Sequence, residues 1–545
     1  MDSNYGDLIY PILDIFKKNS EKKIDYENGD YFIGQFENGL KQGKGREYFQ
    51  NGYIKFNGYF FNDKYEGDGK YIYENGMYYI GQFKNGLKFG KGKEYYKNGN
   101  IRYDGDFNND VYEGKGKYIY ENENYFIGQF KNGSKCGKGI IYYKNGNIRY
   151  DGEFINNKFE GYGKFIIENG KYYIGEWKNG QSHGKGIIYY KDGNIQYDGH
   201  FIDGEYEGDG KLIYQSGNYY IGQFKNGLRH GKGILYYKNG NIRYAGDFIN
   251  DKFEGYGKEI IEIGQYYIGR FQNGLRHGKG ILYNKNGNII YEGDFVNDII
   301  QGNGKAFSEN GSYYIGEFKN DSFNGKGIIY YENGKIKYDG YFLNGYYEGN
   351  GKLYHENGEC YIGEWKKGKR IGKGKLYDTN GNLVYIGDFF DDQAEGKGKY
   401  IYENGEYYIG EWKNARMHGK GIFYYKNGNI KYDGNFINDN YEGYGKYIYE
   451  NGEYYIGEWK NNLRNGKGIL YYKNGNLKYQ GDFINDKYNG YGKYIYENGE
   501  YYIGEWENNL RHGEGILYDK EGNIKYDNYF FRDKQVLDEL KGIIL

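Results

Sequence analysis

A chain of 545 residues would ordinarily divide into several globular domains, since single cores stop growing at about 250 to 300 residues, yet 95 glycines, 77 tyrosines and one proline exclude an average aliphatic core. The 74 basic and 75 acidic side chains nearly cancel, which removes the basic excess of a nucleic-acid binder and excludes that partner class. A mean hydropathy of -0.99 resembles disorder, but 21% aromatic residues is the opposite of the aromatic-poor disorder signature and points to a thin, ordered structure.

The first segment, residues 1–23, opens MDSNYGDLIYPILDIFKK, without a basic stretch followed by an apolar one, and no run approaches about 18 apolar residues. A soluble, cytoplasmic protein is the expectation. Leu8, Ile12, Ile15 and Phe16 recur at helical spacing, so this segment reads as a helical cap. The two cysteines, Cys136 and Cys360, fit a reducing compartment and exclude a disulfide framework.

Residues 24–530 repeat. The glycine of a Tyr-x-Gly element recurs from Gly34 and Gly81 to Gly457 and Gly504, always 47 residues apart, and a second series from Gly58 to Gly481 keeps the same step. Each unit is a pair of half-repeats of 24 and 23 residues. In the module Tyr454 to Asn498, Tyr455, Gly457 and Trp459 alternate on one strand face, as do Gly466, Gly468 and Leu470 on the next, and period two means strand. Asn474-Gly475 and Asn498-Gly499 supply residues that tolerate the positive φ of hairpin turns. A strand glycine lets another group approach the backbone, so each Tyr, Phe or Trp ring is expected to cover the bare backbone of a neighbouring Gly-x-Gly strand. Burying such a ring is worth roughly 1.5 to 3 kcal/mol, against about 0.5 to 1 kcal/mol for the strand glycine.

The last segment, residues 531–545, carries Val536, Leu537, Leu540 and Ile544 at helical spacing and reads as a C-terminal capping helix.

The half-repeat YIGEWKNGQSHGKGIIYYKDGN, with Tyr173, Gly175, Trp177, Gly180, His183, Gly184 and Gly186, resembles the MORN (membrane occupation and recognition nexus) repeat. The resemblance spans over 90% of the chain, in eleven copies of the first type, ten of the second and a degenerate one around Asn528. Second-type copies depart from it at Asp110 and Asp439, and at Glu113 and Glu442, which loosens any carry-over of partner binding. The resemblance implies an all-β fold: an elongated, twisted, single-layer antiparallel β-sheet of tandem hairpins, an open, solenoid-like rod. Four strands per module at about 4.8 Å give a rise of roughly 19 Å per module and about 200 Å in all.

No catalytic, cofactor or metal site emerges from the residues. His183, His230, His277, His418 and His512 occupy one slot of successive modules, roughly 19 Å apart or more, too far to converge on one zinc, and His200 and His355 read as surface residues. Cys136 and Cys360 lie roughly 90 Å apart by the same spacing, beyond disulfide reach. The string from Gly227 to Gly233 lacks the spacing and hydroxyl of a phosphate loop. All five tryptophans, Trp177, Trp365, Trp412, Trp459 and Trp506, occupy one module position and read as structural aromatics.

Charge alternates by half-module. First-type hairpin tips carry Lys225, Arg229 and Lys232, or Lys460, Arg464 and Lys467; on the opposite edge Lys473 and Lys478 alternate with Glu497 and Glu500. The tips are candidate contacts for a partner or an anionic lipid surface, and the striped edge for lateral self-association; ordinary solubility explains mixed charge equally. The modules between 295 and 395 deviate most, at Ile299-Ile300-Gln301, Ala306-Phe307-Ser308 and Lys369-Arg370-Ile371, which reads as a partner site or as drift. The repeats leave no room for an enzyme domain. A non-catalytic scaffold or spacer for protein partners is expected, by resemblance in a cytoskeletal or ciliary assembly. The alternative is peripheral binding to anionic phospholipid, and the third is a regulatory repeat region that would carry a phosphatidylinositol phosphate kinase label on its repeats alone.

Overall fold

A computed structural model describes residues 21–261 and 264–536. They hold 45 strands, from Lys22–Asp25 to Lys534–Val536, and no helix. The chain divides into two compact units, one running to Ile261 and including Phe271–Gly274, the other comprising Glu262–Arg270 and the chain from Leu275.

In the first unit, strands follow one another antiparallel from Lys22–Asp25 to Lys252–Ile260. In the second they do so from Leu275–Tyr283 to Lys534–Val536. Each unit has one open edge: among the described residues, Lys22–Asp25 pairs only with Tyr31–Glu37 and Lys534–Val536 only with Ile524–Phe531.

The two connection types have different chemistry. Strands Tyr454–Lys460 and Leu463–Tyr471 join through Asn461 and Asn462, both left-handed at φ 50° and 63°, a two-residue turn whose twist matches that of the strands. The opposite connection is longer. Only Gly475 is left-handed, at φ 87°. Its N–H donates to the Tyr472 carbonyl, while Asn474 uses its side-chain oxygen to accept from the Asn476 N–H at 3.0 Å, as turn asparagines do.

Register places one glycine of each strand but the outermost in a row. In the second unit Gly445, Gly457, Gly468, Gly481, Gly492, Gly504 and Gly515 are successive cross-strand partners, and the row ends at Asn528. The first unit has the same row from Gly34 to Gly257. Gly466 does not share this face. It sits at φ 102° beside a register shift, a β-bulge that breaks the alternation locally.

The C-terminal helical cap requires correction, whereas the N-terminal one, argued from Leu8, Ile12, Ile15 and Phe16, lies outside the described residues; Lys22 and Lys23, at the end of its segment, begin a strand in which Lys22 pairs with Gly34. At the other end Phe531 and Lys534 flank a two-residue turn, Arg532-Asp533, left-handed at φ 47° and 65°, and Val536 is buried opposite Tyr529. The hairpin rule therefore extends to Val536, overriding the helical spacing there; residues 537–545 lie outside the described residues.

Candidate functional site

The ring-bearing face is a packed core one side chain deep. Tyr455 is fully buried, and its ring lies over two glycines, Gly457 in its own strand and Gly468 in the next; a Cβ on either would overlap the ring. Tyr479 does the same for Gly481 and Gly492. Each ring thus covers two members of the glycine row rather than a Gly-x-Gly pair within one strand. The Tyr455 hydroxyl donates to the Glu458 carbonyl at 3.0 Å, and burial raises its ionisation far above the ordinary phenol value, so it stays a neutral donor.

Neighbouring rings interlock edge to face. Tyr455 meets Trp459 at 5.2 Å and Phe483 at 5.0 Å between centroids, the geometry that aromatic quadrupoles favour. Trp365, Trp412, Trp459 and Trp506 are buried and Trp177 is half-buried. Their indole N–H groups point at the carbonyls of Gly351, Gly398, Gly445, Gly492 and Gly163, at 3.2 to 3.4 Å. The tryptophans are therefore packing groups and line no open groove.

The basic tips divide into free and committed charges. Lys225, Lys232, Lys460 and Lys467 are exposed. Arg229 and Arg464 are not available. Arg464 lies on the ring face, opposite Trp459, where its guanidinium sits 5.0 Å from the Phe483 centroid and its Nε donates to Asp486 Oδ1 at 3.0 Å. Asp486 also accepts from the Arg464 backbone N–H at 2.8 Å, and Arg229 holds Asp251 in the same way. Each such arginine clamps a hairpin tip to the turn of the next hairpin. Truncating it, Arg464→Ala, is expected to cost about 1.5 kcal/mol, read as faster amide exchange around 461–467 and 483–488 with distant modules unchanged.

The striped edge is partly neutralised within the chain. Glu453 binds Lys478 at 2.5 Å, Glu406 binds Lys431 at 2.7 Å, and Glu500 binds Lys525. Acidic and basic turns thus already face one another in successive hairpins.

A charged cluster inside the ring face was not anticipated. Glu47 and Glu94 are buried at the slot that Leu235, Leu470 and Leu517 fill elsewhere. Glu94 accepts from Lys88 at 3.1 Å, Arg102 at 3.1 Å and the Tyr112 hydroxyl at 2.5 Å. Burial alone would raise its pKa, but the Lys88 charge, the hydrogen bonds from Tyr112 and Lys88 and the Arg102 charge outweigh it and hold the carboxyl below the ordinary glutamate value. A carboxyl depressed in the folded state contributes stability above its unfolded pKa that is lost as pH falls through the folded one. Acid is therefore expected to loosen the module around Glu94 before the module around Leu470, measured by site-resolved exchange on lowering the pH below 4.5. The signal was present in the sequence as an acid interrupting an apolar slot, but only register shows that the slot is interior.

His183, His230, His277, His418 and His512 fall on equivalent second strands, one per module. Among the described residues no three side chains of metal-binding type converge. Cys136 and Cys360 are free thiols.

The comparison with protein families agrees with this geometry. The family model described as MORN repeat matches 21 consecutive segments from residue 32 to residue 524. Eleven begin at the first-strand tyrosine or phenylalanine of each module, from 32–52 to 502–524, and ten at its third-strand counterpart, from 56–78 to 479–501. No curated protein matches the chain significantly. With the ring, glycine row and paired hairpins present in every matched segment, the chain belongs to the MORN repeat family.

Proposed function

We propose that the chain is a non-catalytic scaffold that presents extended sheet surfaces to protein partners, in a cytoskeletal or ciliary assembly of the cytoplasm. The observation that carries this reading is the use to which reactive side chains are put. Buried tyrosine hydroxyls bond to backbone carbonyls, tip arginines clamp neighbouring hairpins and Glu94 is closed in by Lys88, Arg102, Tyr112 and Tyr73. What each module leaves outward is a repeated, broad surface, which suits docking along an array. Proximity labelling of the full chain in its native cell tests this. Recurrent neighbours that are structural proteins are expected; neighbours no different from a diffusing control protein would overturn it.

A second reading, contact with anionic phospholipid, draws on the exposed Lys225, Lys232, Lys460 and Lys467. Each basic residue at such a surface contributes about 1 kcal/mol. With Arg229 and Arg464 committed to aspartates, the tips carry less free charge than the sequence promises. Co-sedimentation with phosphatidylserine vesicles that disappears at high salt would favour this reading over the first.

A further inference from the structure

On the face opposite the rings, five of the ten four-strand modules repeat one pattern beside the glycine row. Isoleucines of the first two strands are followed by an acid on the third and a lysine on the fourth, as in the cross-strand series Ile409, Ile422, Asp433 and Lys446. Further along, tyrosines of the first two strands stack: Tyr407 and Tyr424 lie 4.5 Å apart between centroids, with Lys399 Nζ 4.2 Å above Tyr407.

Within the six strands from Cys360 to Tyr424 this pattern is broken three times. Cys360 stands where the stack requires tyrosine, so Tyr377 faces a thiol. Lys375 replaces the second-strand isoleucine, and Ile386 replaces the third-strand acid. Two of the breaks, Lys375 and Ile386, line a groove of ≈ 800 Å³ together with Tyr377, the cross-strand partner of Cys360; Ile362, Ile386 and Ile409 form its apolar side and the backbone of the glycine row its floor. Ile386 and Ile409 are 37% and 43% exposed.

The groove is also basic. Lys373, Lys375, Lys397 and Lys420 line it, against a single acid, Glu411. Lys373 is bound to Asp388, which also accepts from the Lys397 backbone N–H; the ammonium groups of Lys375, Lys397 and Lys420 make no salt bridge among the described residues.

We propose that this groove takes an acidic protein segment bearing aliphatic side chains, laid across the strands. The proposal rests on the scaffold reading and names where one partner docks and what chemistry it brings. Carboxylates meet the free lysines, and aliphatic groups cover the isoleucines. A flat bilayer fits less well, because the long lysine side chains stand above the shorter isoleucines and hold a planar surface off them, and Glu411 repels anionic headgroups.

Two substitutions restore the repeat's own pattern without new packing demands: Ile386→Asp, as at Asp339 and Asp433, and Cys360→Tyr, as at Tyr313 and Tyr407. The experiment selects random peptides of about 12 residues, long enough at about 3.3 Å per residue to cross six strands, displayed on phage against the folded full chain. The selected peptides are then measured on the wild type and on the doubly restored chain. Enrichment of net acidic peptides with leucine, isoleucine or valine, bound about tenfold or more weakly by the restored chain, is the expected result. No enrichment, enrichment of basic or uncharged peptides, or equal binding to both chains would overturn it. Phosphatidylserine vesicles bound by the wild type and not by the restored chain would also overturn it, reassigning the groove to a membrane surface. Repeating the proximity labelling with the restored chain separates the two failures: protein neighbours retained in full leave the scaffold standing without this site, whereas no neighbours for either chain remove the scaffold itself.

Discussion

Replacing Gly468 by valine is expected to open the sheet locally, at a cost of about 3 kcal/mol, the upper range for overpacking a filled site. The position has no positive φ, so the backbone itself would accept a side chain. What refuses it is the Tyr455 ring, which a Cβ would overlap at three atoms. The ring cannot yield easily, because its hydroxyl is anchored on the Glu458 carbonyl and its edges meet Trp459 and Phe483. Gly475 supplies the contrast. A Cβ there meets open space, and only the left-handed φ of 87° opposes it, so Gly475→Ala should cost only about 1 kcal/mol. In a repeat array each unit contacts only its neighbours. The loss at Gly468 should therefore appear as accelerated amide exchange confined to the adjoining hairpins, and not as a uniform drop in melting temperature.

Removing the ring is expected to cost as much from the other side. Tyr455→Ala deletes the cover of two glycines and the centre of an edge-to-face cluster, and truncations of buried aromatics cost about 3 to 5 kcal/mol. Tyr455→Phe should be far milder, about 1 kcal/mol for one hydrogen bond. The chain carries that experiment within itself, since Phe32, Phe56 and Phe126 occupy equivalent slots, fully buried, over their own glycine pairs. Denaturant titration of the two variants, followed through Trp459 fluorescence, checks the ranking. Equal costs for alanine and phenylalanine would mean that the hydroxyl, and not the ring, holds the hairpin.

The strands were legible because Tyr455, Gly457 and Trp459 alternate with period two, and the constant 47-residue step fixed that every module does the same. The covering of glycine by rings was legible in kind but not in detail. Which glycines share a ring depends on register, and the bulge at Gly466 shifts register by two residues where the alternation in sequence looks unbroken. Arg464 looked like a free tip charge, yet it stands four residues from Gly468, on the same face by alternation, and its guanidinium lies among rings. At the ends, Val536 looked helical because apolar spacing over a few residues cannot distinguish a short strand from a helix. The groove near Ile386 lay within the stretch of deviant modules, but Lys369-Arg370-Ile371 drew the eye to the hairpin tip. There Arg370 merely repeats the clamp, holding Asp392 at 3.3 Å.

A double-mutant cycle between Gly468 and Tyr455 tests the interlock of ring and bare backbone most directly. If the ring occupies the space of the missing side chain, Gly468→Ala should be costly in the wild type and close to neutral in a Tyr455→Ala background, a coupling of about 1 to 3 kcal/mol. Strictly additive effects, with alanine at 468 equally costly whether or not the ring is present, would contradict it.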